Sequence, residues 1–279
     1  MRSEAGKKVE CIIGKRQKPK MNKMKLSVAI IAKNEESMIK SAIRSCDWAD
    51  EVVVLDTGST DKTKDVAKKM GAEVYEMVTQ GLTFADWRTE LIKKTKFNWI
   101  FYLDSDERFT RGCEKEIRKI IKTKKKPRTT HYAVARENYY LGRRVRWGGS
   151  WPDYVIRLFY KPTLKKWTKK LHEEPICKGE IGYLKTPIEH FTHKDITSMV
   201  EKTIKWSGIE ANLLFNANHP PVVWWRFLRM MATKAWKRLV KQQAWRDGTV
   251  GWINSVFEVF NTFIIYARLW EMQQKDSKK

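Results

Sequence analysis

The sequence predicts an α/β protein with a mostly parallel central sheet and flanking helices. In the N-terminal half, short apolar runs alternate with helical patterns of about ten residues. That alternation gives parallel strands joined by right-handed crossovers. The most informative run is residues 99–107, Trp-Ile-Phe-Tyr-Leu-Asp-Ser-Asp-Glu, which stops at Asp104 and Asp106. A strand apolar at successive positions is buried on both faces. Carboxylates at its end lie where open α/β sheets bind ligands.

The elements follow in order. Leu26–Ala32 reads as the first strand, and Asn34-Glu35-Glu36 opens a helix to about Cys46, with Met38, Ile39, Ala42 and Ile43 at helical spacing. A second strand, Glu51–Leu55, ends at Asp56. Ser59 or Thr60 is the expected cap of the next helix, which stops at Gly71. Glu73–Met77 is a short strand, Thr83–Lys94 a helix, and the Asp-Ser-Asp strand follows. Beyond Tyr132 the pattern turns β-rich and aromatic, as expected for strands that complete the sheet and form the acceptor side. Arg157 in that region is a candidate phosphate or acidic-sugar partner, or one half of an ion pair.

Asp104 and Asp106 are spaced to turn toward one hard cation, Mg²⁺ or Mn²⁺. A cation held that way neutralises a nucleotide diphosphate. An exposed acidic turn would read the same, but the strand-end position favours a site.

At this point the chain resembles a known family. Ser27-Val-Ala-Ile-Ile-Ala-Lys-Asn-Glu-Glu is similar to the opening strand of family-2 glycosyltransferases with the GT-A fold. Val52-Val-Val-Leu-Asp-Thr-Gly-Ser-Thr-Asp-Lys-Thr resembles their second motif, and Leu103-Asp-Ser-Asp-Glu107 their Asp-x-Asp motif. Phe84-Ala-Asp-Trp-Arg88 resembles the segment before it, with Thr89 where Asn is usual. Leu171-His-Glu-Glu174, Ile188-Glu-His190, Arg246-Asp-Gly-x-x-Gly251 and Tyr266-Ala-Arg-Leu-Trp-Glu271 resemble the lipopolysaccharide-core β-1,4-glucosyltransferase subgroup. The resemblance spans roughly residues 25–272. It implies an inverting GT-A enzyme that uses a nucleotide-sugar donor, a UDP-sugar by preference, with Mg²⁺ or Mn²⁺. It further implies that Asp56 holds the nucleobase. Ala32, Asn34 and Glu36 would lie near the nucleoside, Arg88 and Asp104 along the diphosphate and ribose, and Asp106 on the metal beside Asp104.

Inverting transfer needs one base to take the acceptor hydroxyl's proton. The departing diphosphate needs no protein acid where a metal stabilises it. Glu173 is the first choice as base, because the resembling subgroup carries His-Glu there; Glu174 and Asp153 follow. These could equally be surface acids before Pro175. His190 is a candidate third metal ligand, against an ordinary structural role.

Composition fits a peripheral enzyme. A chain of 279 residues, 42% hydrophobic, can bury one large α/β domain and an appendage, and its net charge of +24 implies an anionic partner. No charge-free 18-residue apolar run predicts an ordinary span, and no apolar leader opens the chain. Cysteines 11, 46, 113 and 177 lie far apart, which reads as reduced thiols in a cytosolic setting. Three segments are expected: a basic flexible arm at 1–24, the catalytic domain at 25–200, and a helical region at 201–279.

Within that last region, residues 220–241 place Trp224, Leu228, Met231, Ala235 and Leu239 on one helical face and Arg226, Arg229, Thr233, Lys237 and Lys241 on the other. That is the pattern of an interfacial helix on an anionic leaflet, or of a helix docked on the catalytic domain. Residues 250–270 read as a second amphipathic helix. The sequence therefore predicts a glycosyltransferase at the inner face of the cytoplasmic membrane, acting on a saccharide or glycolipid acceptor in cell-envelope biosynthesis. A polyprenyl-phosphate or a peptide acceptor is the alternative. A basic nucleic-acid-binding protein fits less well, since the aromatics lie on apolar helix faces rather than on a stacking platform, so no nucleic-acid partner is expected.

Overall fold

A computed structural model describes residues 25–77, 81–122, 127–168 and 174–276. The chain runs β1 (Leu26–Ala32), α1 (Glu36–Arg44), β2 (Glu51–Asp56), α2 (Thr63–Lys69), β3 (Glu73–Glu76), α3 (Phe84–Lys94), β4 (Trp99–Asp104), β5 (Glu107–Arg108) and α4 (Arg111–Ile121). It continues through β6 (Thr129–Tyr140), β7 (Arg143–Val145), β8 (Asp153–Tyr160), β9 (Leu164–Thr168), β10 (Glu174–Cys177), β11 (Glu180–Tyr183) and β12 (Ile188–His193). It closes with helices α5 (Ile196–Asn216), α6 (Trp224–Ala235) and α7 (Gly248–Asp276).

The main sheet has the order β3-β2-β1-β4-β8-β6-β12-β5. β3, β2, β1 and β4 are parallel, β8 runs against β4, and β6 runs against β8. The β-rich half therefore completes the sheet. Side chains alternate along β4: Trp99, Phe101 and Leu103 pack with α1 and α4, while Ile100 and Tyr102 pack with α3 and Trp167. Both faces are covered, which is why the strand reads as one unbroken apolar run.

Two local details differ from the sequence reading. The helix expected to be capped at Ser59 or Thr60 begins at Thr63. The turn before it is held from the previous strand instead: Asp56 accepts the Gly58 and Ser59 amides, and Ser59 Oγ accepts the Asn34 amide. Asn34 adopts a left-handed φ of 55° and accepts the Thr60 amide in return. α7 is long and apolar enough to cross a membrane by length and composition alone, although no ordinary span was expected. It packs against both α5 and α6, with Leu269, Ile265 and Tyr266 buried among Ala211, Val222, Phe227 and Met230.

Cys46, Cys113 and Cys177 are free thiols, in line with the spacing. Cys11, the basic arm and most of the Lys122–Arg128 run lie outside the described residues.

Candidate active site

Strand order puts the site at one crevice. The chain steps outward from β1 to β2 and β3, then returns to the other side of β1 as β4. The carboxyl ends of β1 and β4 are therefore a topological switch point. Register brings Asp56 opposite Ala32 and Asp104 opposite Ile31, so the two aspartates flank the end of β1. Beside them opens a cavity of about 630 Å³, whose lining includes Arg88, Asp104, Asp106, His190 and Lys202.

Asp104 sits between two arginines. Arg88 Nη2 reaches its Oδ1 at 3.3 Å, and Arg157 donates to its Oδ2. Burial alone would raise the Asp104 pKa; Arg157 and Arg88 outweigh it and hold the carboxyl far below the usual range. Arg157 is thus one half of an ion pair, the second of the two roles open to it. Arg88 is itself fixed: its carbonyl accepts the Tyr102 hydroxyl at 2.8 Å, and its guanidinium lies over the Tyr102 and Trp167 rings. Thr89, which stands where the family pattern has Asn, accepts the Trp167 amide and donates to the Ala85 carbonyl.

Asp106 and His190 face each other, Oδ2 to Nε2, at 3.4 Å. The sheet arranges this. β5 pairs antiparallel with β12, matching His190 to Glu107, and the Phe191 amide donates to the Asp106 carbonyl. Asn138 Nδ2 donates to the Ser150 carbonyl at 3.0 Å, which turns Asn138 Oδ1 toward His190 Nδ1 at 2.6 Å. Nδ1 is therefore a donor; Nε2 donates to Asp106 when the ring is charged and presents a lone pair on that side when it is neutral. Burial would raise the Asp106 pKa, but the His190 hydrogen bond and charge bring it below normal.

No group of three or more His, Cys, Asp or Glu side chains able to hold a metal occurs among the described residues. A carboxylate and an imidazole that leave the other positions to substrate oxygens fit a hard divalent ion, which binds through few protein ligands plus phosphates. One further atom points to a ligand: Asp56 is 1% exposed, and its Oδ2 has no partner although Oδ1 has two. Buried polar atoms are rarely left unpaired.

The other expected residues divide. Ala32 is buried, and its carbonyl accepts the Thr57 amide. Glu36 accepts the Lys62 amide, outside the cavity lining; its neighbour Glu35 lines the cavity. Burial, followed by the Asp106 charge, raises the Glu35 pKa. Asp153 is tied to Arg136 at 2.7 Å and is not part of the cavity wall. Glu174 opens β10 in register with Thr168. Glu173 lies outside the described residues.

Sequence reasoning missed Glu107, although it directly follows the Asp-Ser-Asp turn. Its side chain is fully enclosed; Oε2 accepts the Asp104 amide at 3.0 Å and Oε1 meets Arg157 at 2.5 Å. It also missed the far wall, where α5 and α7 contribute Lys202, Trp206, Asn254, Glu258 and Asn261. Asn254, Glu258 and Asn261 mark one polar side of the amphipathic 250–270 pattern, but that pattern does not say that this side meets a cavity.

The family model described as Glycosyl transferase family 2 matches residues 27–189. An uncharacterized glycosyltransferase of Rickettsia bellii is 25% identical over 276 residues, covering 89% of this chain and 87% of its own. A lipopolysaccharide core biosynthesis glycosyltransferase, LpsC, of Rhizobium meliloti is 24% identical over 262 residues, covering 89% and 93%. Among solved structures, glucosyl-3-phosphoglycerate synthase of Mycobacterium tuberculosis, in complex with Mn²⁺, UDP and product, matches at 23% identity and a TM-score of 0.34. That match covers 43% of this chain and 45% of the other.

Proposed function

The chain belongs to glycosyl transferase family 2 and is a glycosyltransferase of GT-A fold, and from that premise we propose that it transfers a sugar, with inversion, from a nucleotide-diphosphate donor to a saccharide or glycolipid acceptor of the cell envelope. The whole-length likeness to a lipopolysaccharide core glycosyltransferase supports the envelope acceptor. The observation that carries the donor side is the convergence of Asp106 and His190 in the cavity at the end of β4.

Each residue has a task in that reading. Asp56, with one buried oxygen unpaired, accepts from the nucleobase. Ala32, Asn34 and Glu36 form the frame of the nucleoside side by clamping the Thr57–Lys62 turn. Arg88 faces the diphosphate and is oriented by Asp104. Both oxygens of Asp104 are engaged by arginines, so Asp106 and His190 are the ligands for Mg²⁺ or Mn²⁺. Bound with the diphosphate, that ion would supply charge neutralisation of the leaving group. Glu173 takes the proton from the acceptor hydroxyl, with Glu174 and Asp153 as the other carboxylates to test. The exposed Trp224 and Leu228 and the net charge of +24 support attachment to an anionic membrane surface facing the cytoplasm.

Acceptor-independent hydrolysis of UDP-, GDP- and dTDP-sugars, with Mn²⁺ or Mg²⁺, tests the donor half. Hydrolysis of one donor class that stops with EDTA is expected. Equal hydrolysis with and without metal would overturn the metal-dependent reading.

A further inference from the structure

Against the far wall of the cavity lies a second hollow. This is a trough of about 500 Å³ between α5 and α7, with Val200 and Ile204 on one side and Phe260, Ile264, Ala267 and Trp270 on the other. Thr203 lines both hollows, so the trough adjoins the cavity that holds Asp106. Its side chains are costly to leave in water: Ile204 is 55% exposed, and Phe260 and Trp270 are each 46% exposed. Along α7 the apolar stripe extends back through Val256 to Trp252, both exposed. From Trp252 to Trp270 that is about 27 Å at 1.5 Å per residue.

Cationic side chains line both hollows. Lys202 and Lys205 lie on the cavity side, and Arg268 lines the trough. Gly208 on α5 leaves room for the Arg268 guanidinium, where any Cβ would collide with it. The one carboxylate of the trough wall, Glu271, is paired with Lys275 at 2.7 Å. An apolar trough that carries Arg268 and adjoins a cavity wall carrying Lys202 and Lys205 matches an anionic head group joined to a hydrocarbon chain.

We propose that the α5–α7 trough binds the hydrocarbon chain of a lipid-borne acceptor, with its anionic head group at Lys202, Lys205 and Arg268 and its acceptor sugar in the cavity beside Asp106. The proposal rests on the reading of that cavity as the site of transfer and adds the acceptor class. A protein partner would need no adjoining cavity, and a second copy of this strongly basic chain would gain nothing from Lys202, Lys205 and Arg268.

The probe is dodecyl phosphate below its micelle concentration, titrated calorimetrically into the whole protein. Inorganic phosphate and dodecyl maltoside serve as comparisons. Dodecyl phosphate should bind at least about tenfold more tightly than either. The double variant Ile204→Gln/Phe260→Gln should lose at least about tenfold of that affinity while binding nucleotide and Mn²⁺ normally. Ile181→Gln, exposed on β11, should lose none. Inorganic phosphate binding as tightly as dodecyl phosphate would overturn the proposal, because the chain would then contribute nothing. So would an unchanged affinity in the double variant. A dimer in light scattering that the double variant dissociates would assign the trough to a second copy and overturn it equally. The proposal fails with the transfer reading if the unaltered protein takes no nucleotide, and fails alone if nucleotide binding is intact while the amphiphile results go the other way.

Discussion

Glu107 and Arg157 form an enclosed ion pair at 2.5 Å, with side chains 0% and 5% exposed. Arg157 shares the same nitrogen with Asp104, and Glu107 holds the Asp104 amide. The pair thus fixes the Asp104 end of the Asp-Ser-Asp turn. Removing one partner of a buried pair leaves an uncompensated charge, at a cost of about 3–5 kcal/mol. Arg157→Met should therefore lower unfolding stability by that order in urea, and Arg157→Lys by less. A loss below about 1 kcal/mol for Arg157→Met would show that the turn does not depend on the pair.

The base is addressed by Glu173→Gln, which keeps shape and removes proton-accepting power. Turnover should fall by orders of magnitude, with donor affinity little changed. Normal turnover in this variant, with loss in Glu174→Gln or Asp153→Asn, would move the role. Asp153→Asn should also loosen Arg136, its partner at 2.7 Å, so an effect on stability as well as rate is expected there.

Acid should weaken the fold partly through His193. Burial, then the Lys202 charge, lowers its pKa from 6.5 to about 4. The folded value lies below the unfolded one, so the unfolded chain binds more protons between those limits. Stability from this group is complete above pH 6.5 and is lost as pH falls toward 4. His193→Asn should flatten that part of the stability–pH curve. An identical curve for the variant would contradict the assignment.

On α6, Phe227 and Met230 turn inward to α7, while Trp224, at 74% exposure, and Leu228, at 61%, face outward. The protein should sediment with anionic liposomes, poorly with neutral ones, and less at high salt, because exposed charges are screened within about 10 Å at 0.1 M ionic strength. Trp224→Ser with Arg226→Glu should release it and spare donor hydrolysis. Equal binding to neutral and anionic liposomes would contradict the electrostatic part.

The parallel half of the fold and the place of the Asp-Ser-Asp turn at a strand end were legible because strand burial and strand-end chemistry leave local marks. The Trp99–Leu103 run is apolar because both faces of β4 are covered, and Asp104 and Asp106 stand out against it. The start of α2 was misjudged because its preceding turn is held by Asp56 at the end of β2 and by Asn34, 26 residues before Thr60, rather than by a cap at Ser59 or Thr60. Glu107 was passed over because its importance comes from Arg157, 50 residues on. The cavity's far wall depends on how α5 and α7 pack, which no local pattern encodes. Glu35 and Glu36 are adjacent in sequence, and only the fold turns the first of them to the cavity.

The central claim is that Asp106 and His190 hold a divalent ion for a nucleotide diphosphate. Calorimetric titration of UDP, GDP and dTDP, each with and without Mn²⁺, into the unaltered protein and Asp106→Ala measures it most directly. One nucleotide should bind tightly only with Mn²⁺. Asp106→Ala should abolish the metal-dependent part while its unfolding curve stays cooperative. Equal nucleotide affinity with and without Mn²⁺, or unchanged Mn²⁺ dependence in Asp106→Ala, would contradict the account.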